Sequence, residues 1–285
     1  MGGSMTVMDA HHHFWRVDAQ DQPWRDDRHG AIARDYTPDD LAAELAEAGV
    51  EQTVLIQSVD EPAENDRLMR YAAEASYVGA VVGWLPLADP AAARAELERS
   101  GSGVHGVRCL VGREPLDWLN KPDSVALFTE LAEAGLSWDV VPVTAQQTDA
   151  VVALAQAVPE LRIVVDHLGR PPIDSDGWEP WATQLGRLAA CPQIGLKVSL
   201  GIDLLTALPG WPDELDRYLT WAVECFGPDR LMLASNWPVV LLRASYQDAW
   251  SALRSAVEHL LPSPDELAAV LGGTAARYYR TKGRS

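Results

Sequence analysis

The feature that most constrains this chain is a repeated beat. Short runs rich in β-branched residues alternate with longer Ala/Leu/Glu stretches. The strand-like runs fall at residues 5–10, 52–58, 78–87, 103–110, 136–143, 161–169, 193–200 and 230–239. Helical stretches follow at 37–50, from Pro62 to about Ser76, from Pro90, at 122–135, from Thr144, at 179–190, 212–226 and 245–259, and from Ser263 onward. Thr37, Pro38 and Asp40 form a capping-box signal, and Ser263 and Glu266 a second one. Strand runs that are apolar on both faces read as parallel strands. Eight such units in 285 residues predict a single-domain (β/α)8 TIM barrel over residues 5–285, with active-site groups at the C-terminal ends of its strands. An open doubly wound sheet is the rival, but it carries a Gly-rich turn after its first strand. Here that turn reads HHHFW.

Residues 1–4, MGGS, read as a cloning remnant ahead of Met5. No basic segment leading into an apolar run opens the chain, so no signal peptide is predicted. No uninterrupted apolar stretch is long enough for a membrane span. The net charge of −18 repels phosphate, which argues against nucleic acid and anionic membrane as partners. Cys109, Cys191 and Cys225 are odd in number and scattered, which fits a reducing, cytoplasmic setting and no zinc spacing.

The chemistry gathers at strand ends. Side chains alternate along a strand, so His11 and His13 point one way and His12 the other. Two imidazoles on one face can share a metal ion, polarise a carbonyl or bind an anion. Arg108 ends the fourth strand, Asp166 and His167 the sixth, and Ser235, Asn236 and Trp237 the eighth, while Lys197 lies within the seventh. Lys197 reaches either the pocket or the helix layer. Trp15, Trp84 and Trp237 lie near strand C-termini, where an indole face suits the apolar face of a sugar ring. The 16–36 loop is long enough to cover the barrel mouth.

The motifs DAHHHFW, GVR, DHLGRP and SNWPV together resemble the amidohydrolase superfamily, and more narrowly its lactonase branch of sugar-acid lactonases and pyrone-dicarboxylate hydrolases. The resemblance spans about Val7 to Tyr279. It implies hydrolysis of a small lactone by water attack on the carbonyl. His11 and His13 match the family's H-x-H pair, with roles in substrate binding or as ligands of one divalent metal such as zinc. His167 matches its sixth-strand histidine, and Arg108 an arginine that contacts substrate carbonyl or carboxylate.

The eighth-strand aspartate that activates water in the family falls on Asn236. An amide cannot take that proton. Three explanations fit: an engineered Asp-to-Asn exchange that inactivates the enzyme, a branch that natively uses another base, or loss of catalysis. The fifth strand offers no histidine, so a binuclear metal site is not expected. Either no cofactor or one divalent ion is implied. A metal-dependent decarboxylase of the same superfamily and a non-catalytic sugar-acid-binding barrel are the rival functions.

Overall fold

The computed structural model describes residues 6–101, 103–202, 205 and 215–281. Among these, eight parallel strands follow one another around a barrel in sequence order. They are β1 (Met8–His12), β2 (Gln52–Ile56), β3 (Val78–Trp84), β4 (Gly106–Arg108), β5 (Ser137–Val140), β6 (Arg162–Val165), β7 (Ile194–Val198) and β8 (Leu231–Leu233). The helices between them are α1 (Pro38–Ala48), α2 (Pro62–Glu74), α3 (Pro90–Ser100), α4 (Pro122–Glu133), α5 (Ala145–Ala157), α6 (Trp181–Ala189), α7 (Asp216–Phe226) and α8 (Tyr246–Leu260). The predicted (β/α)8 barrel is therefore the fold. The expected start of the seventh helix at 212 lies outside the described residues.

Local chemistry sets the element boundaries. Thr37 and Asp40 make the predicted capping box ahead of α1, and Gly49 ends that helix at φ 68°, a conformation that favours glycine. The Ser263 box does not form. That helix begins at Pro264, and Ser263 makes no side-chain cap. It continues through a π-helical turn into a short helix, Thr274–Tyr278, that closes the underside of the barrel.

Met8, Val54, Val82, Val164 and Met232 cluster with Tyr278 and Tyr279. This apolar layer seals the barrel floor. A larger cluster joins the outer strand faces to the helices.

The seam between β1 and β8 matters most for the site. A register shift between Asp9 and His12 inserts an extra residue into β1 against β2, the signature of a β-bulge, which re-aims side chains. The seam then closes through Asn236 N–H to His11 O at 2.9 Å and His13 N–H to Trp237 O at 2.8 Å. The Asp9 carboxylate clasps it, accepting from Ser235 N at 2.9 Å and Ser235 Oγ at 2.6 Å, and from Tyr246 Oη at 3.2 Å.

Burial raises the Asp9 carboxyl from 3.8 to about 6, and its hydrogen bonds only partly offset that. A folded-state pKa raised above the unfolded value means the native state binds this proton more tightly. The stabilisation is full below about pH 4 and is lost as pH rises through about 6. Urea denaturation of the native chain and of Asp9→Asn at both pH values should show the difference moving toward the native chain on acidification. Two pKa units correspond to about 3 kcal/mol.

Candidate active site

A cavity of about 230 Å³ opens at the C-terminal end of the strands, and His13, Trp24, Ser58, Arg108, His167, Arg170 and Asn236 contribute its polar and aromatic wall. Val141, Ile202 and Val239 supply apolar wall. His13, Arg108, His167 and Asn236, picked out from the sequence, thus share one cavity. His11 is fully buried and lies beneath it.

His11 and His13 share a face, with their Nε2 atoms 3.1 Å apart. His12 turns the other way, to Thr53 Oγ1 at 2.8 Å. His13 Nδ1 meets Ile56 O at 2.9 Å. Burial first, and the Arg108 charge next, hold His13 down to about 3, so it is neutral at pH 7. Burial and Lys197 likewise hold His11 well below its ordinary value.

Below the cavity lies a buried layer of charge. Lys197 Nζ is 2.6 Å from Asp139 Oδ2, 3.0 Å from Asp166 Oδ1 and 3.2 Å from His11 Nδ1. Arg108 Nε is 3.1 Å from Asp166 Oδ2. Burial alone would raise the Asp166 carboxyl, but Lys197, His11 and Arg108 pull it well below the usual range. Tyr279 Oη donates to Asp139 Oδ2 at 2.6 Å from the floor. Arg108 Nη1 donates to Gln57 O at 3.2 Å and Gln57 Oε1 at 3.3 Å. With Nε and Nη1 committed, Nη2 has no hydrogen-bond partner among the described residues, and Arg108 lines the cavity.

His167 Nδ1 meets Ser199 Oγ at 2.9 Å. Burial is the chief cause that lowers its pKa well below the ordinary value, helped by the Arg108, Lys197 and Arg170 charges. His167, Leu168, Gly169 and Arg170 all have positive φ, between 53° and 65°. Left-handed geometry costs a non-glycine residue about 1–2 kcal/mol, and such strain gathers at functional sites. Asn236 is also left-handed, at φ 59°, a region asparagine enters more readily than most. Its Nδ2 donates to Leu200 O at 2.7 Å. The amide is therefore pinned, and Oδ1 is buried with no hydrogen bond among the described residues.

Five expected substrate contacts do not line the cavity, His11 below it being one. Lys197 points into the barrel but is consumed by the charge layer. Trp15 is buried, with Nε1 donating to Arg34 O at 2.9 Å. Trp237 packs edge-to-face on Phe14 and Tyr36. Trp84 sits outside the cavity wall, its backbone N–H held by Asn65 Oδ1 at 2.8 Å. The cavity's indole is Trp24, from the 16–36 loop. Arg25 and Arg28 in that loop bond to Gln22 and Asp26.

The loop is strapped to the end of β2. Trp24 Nε1 donates to Ser58 O at 2.8 Å. Buried Glu64 accepts from Ser58 N at 2.7 Å, Gln20 Nε2 at 2.8 Å and Arg67 Nε at 3.1 Å. Trp24, Ser58, Asp139, Asp166 and Arg170 were not picked out as site residues. Asp166 and Arg170 had a signal, their places beside His167 in the DHLGRP motif.

His11, Asp166 and His167 offer donor atoms within 4.8 Å of one another. That group leaves out His13, expected as the second ligand beside His11. The donor set does not fit a divalent ion as folded, because the Lys197 ammonium already lies against His11 Nδ1 and Asp166 Oδ1.

Residues 8–281 match the amidohydrolase family model. The chain belongs to the amidohydrolase family. It is 35% identical over 280 residues to an L-fucono-1,5-lactonase of Burkholderia ambifaria, covering 96% of this chain and 95% of that protein. It is 32% identical over 295 residues to an L-fucono-1,5-lactonase of Burkholderia multivorans, covering 95% of each. Among solved structures it resembles an amidohydrolase from Burkholderia multivorans with bound zinc, with a TM-score of 0.86, 31% identity, and coverage of 97% of this chain and all of that one. No helix among the described residues of this amidohydrolase is long and apolar enough to cross a membrane.

Trp24 closes one wall and tethers its loop. Trp24→Ala should raise KM for a cavity ligand about 10-fold or more, the scale of a buried aromatic contact of about 1–2 kcal/mol. It should also speed amide exchange across residues 16–36. Trp24→Phe, which keeps the ring but loses the indole N–H, should fall between.

Proposed function

We propose that this chain is a hydrolase that opens a sugar-acid lactone by water attack on the ring carbonyl. The observation that carries this reading is the shared cavity wall of Arg108, His167 and Asn236. It provides a charged donor, a neutral imidazole and an oriented amide oxygen around a space on the scale of one sugar ring. The two lactonase relatives, at 35% and 32% identity across nearly their whole length, support the same chemistry.

In this mechanism the lactone carbonyl oxygen lies against Arg108 Nη2. The guanidinium, fixed by Asp166 and Gln57, stabilises the oxyanion of the tetrahedral intermediate, and one such donor contributes about 3 kcal/mol. Asn236 Oδ1 accepts a hydrogen bond from the attacking water and aims its lone pair at the carbonyl carbon. His167 holds its proton on Nδ1, donated to Ser199 Oγ, so Nε2 takes the water proton as the new C–O bond forms. Collapse of the intermediate breaks the bond to the ring oxygen. That alkoxide takes the proton back from His167, leaving an open hydroxy acid.

Here the Arg108 guanidinium, rather than a divalent ion, polarises the carbonyl. A metal-dependent decarboxylase finds little support where Lys197 fills the ion's position. Net charge −18 suits a small-molecule partner rather than nucleic acid, and the three free cysteines suit a cytoplasmic setting.

A pH-drift assay over 1,4- and 1,5-lactones of sugar acids tests the reading. The native chain should open at least one 1,5-lactone. Asn236→Asp, which adds a carboxylate base, should raise kcat by at least ~100-fold. If neither form opens any lactone, hydrolysis is the wrong assignment and a binding role takes its place. In whichever form is active, Arg108→Met should lower kcat by about 10²–10³-fold.

A further inference from the structure

The proton positions beneath the cavity can be read off one hydrogen-bond chain. Ile56 O can only accept, so His13 Nδ1, 2.9 Å away, carries a hydrogen. A neutral His13 then has a bare Nε2. That atom sits 3.1 Å from His11 Nε2, so His11 Nε2 carries the shared hydrogen. His11 Nδ1 is therefore a bare acceptor, and its donor is Lys197 Nζ at 3.2 Å.

This ordering leaves a problem that only a cation solves. Asp166 Oδ1 lies 3.4 Å from His11 Nδ1, so a carboxylate oxygen faces a lone pair. The Lys197 ammonium lies against both, and against Asp139 Oδ2. Neither Asp166 oxygen accepts a geometrically sound hydrogen bond among the described residues. The carboxylate is held by charge, as it would be around an ion. The side chains of Lys197, His11, Asp139 and Asp166 are all fully buried.

We propose that the Lys197 ammonium is the resident cation of this histidine–aspartate cluster, filling the position and fixing the tautomers that a divalent ion would otherwise set. It opposes a metal in two ways. An ion bound through His11 Nδ1 and Asp166 Oδ1 would collide with the ammonium. An ion bound through His11 Nε2 would push the ring hydrogen onto Nδ1, toward the ammonium. Removing the ammonium while keeping the side-chain volume uncovers a latent cation site made of His11, Asp139, Asp166 and His167. This inference concerns the cluster itself and holds whichever ligand the cavity takes.

The test uses the full chain, stripped with chelator and titrated with Co²⁺ alone. The native chain should develop no visible d–d band, and its melting midpoint should not move. Lys197→Met should take up one Co²⁺ per chain, develop the band, and melt about 5 °C or more higher with cobalt than without. Adding Asp166→Asn to Lys197→Met should abolish the band. Lys197→Arg, which keeps a cation, should stay colourless. If Lys197→Met is unfolded without metal, cobalt should restore its fold.

The proposal is overturned if the stripped native chain binds one Co²⁺ with a d–d band. It is also overturned if Lys197→Met gains no metal, or stays unfolded with cobalt present. An independent readout comes from ¹⁵N-histidine spectra of the metal-free native chain at neutral pH. His13 should be the Nδ1–H tautomer and His11 the Nε2–H tautomer. A His11 with its hydrogen on Nδ1 sinks the argument. None of these readouts depends on turnover, so failure to hydrolyse lactones would leave them intact.

Discussion

Two carboxylates and two cations share a buried layer inside the barrel, and the rest of the site depends on their pairing. Asp139 and Asp166 face Lys197 and Arg108 across 2.6–3.1 Å. Removing one member of such a buried set costs about 3–5 kcal/mol, because the partner's charge is stranded. The layer nonetheless contributes little net stability compared with a well-packed apolar one. Its value is positional. Arg108 cannot swing away from Asp166 without exposing a bare carboxylate, and the two histidines cannot exchange their hydrogens without meeting the ammonium.

Above this layer the backbone itself is under tension. The left-handed run from His167 to Arg170, and Asn236 across the cavity, place short polar groups where ordinary strand geometry would not. The rigid barrel below holds them there: the Asp9 clasp and the β1–β8 backbone bonds fix the residues immediately before Asn236. The mouth is finished by a loop that is itself anchored, through Glu64 and Ser58, to the end of β2. The polar walls of the cavity thus trace back to buried hydrogen bonds and ion pairs.

Much of this was legible in the residues. The strand–helix beat gave the barrel because parallel strands buried on both faces need a helix after each one. That His13, Arg108, His167 and Asn236 line one cavity followed from their positions at strand ends, while His11 proved to lie beneath it. The aromatic wall did not follow. Trp15, Trp84 and Trp237 lie near strand ends, but lying near an end does not decide which way a ring turns. The loop's own hydrogen bonds, Trp15 to Arg34 O and Trp24 to Ser58 O, make that choice. Lys197 showed a related limit. Alternation places it inside or outside the barrel but does not set its depth, and the depth separates a substrate contact from a counter-ion. Of the left-handed run, only Gly169 carries a residue type that hints at it.

The hydrogen bond from Tyr279 to Asp139 has a consequence for the order in which the barrel is completed. Tyr279 lies 140 residues beyond Asp139, yet its hydroxyl reaches the fifth strand and helps hold the carboxylate that pairs with Lys197. Until the segment that carries Tyr279 docks, the barrel has no plug beneath its charge layer, and water can enter from below. The reactive end therefore reaches its working polarity late in folding, however early the first strands collapse.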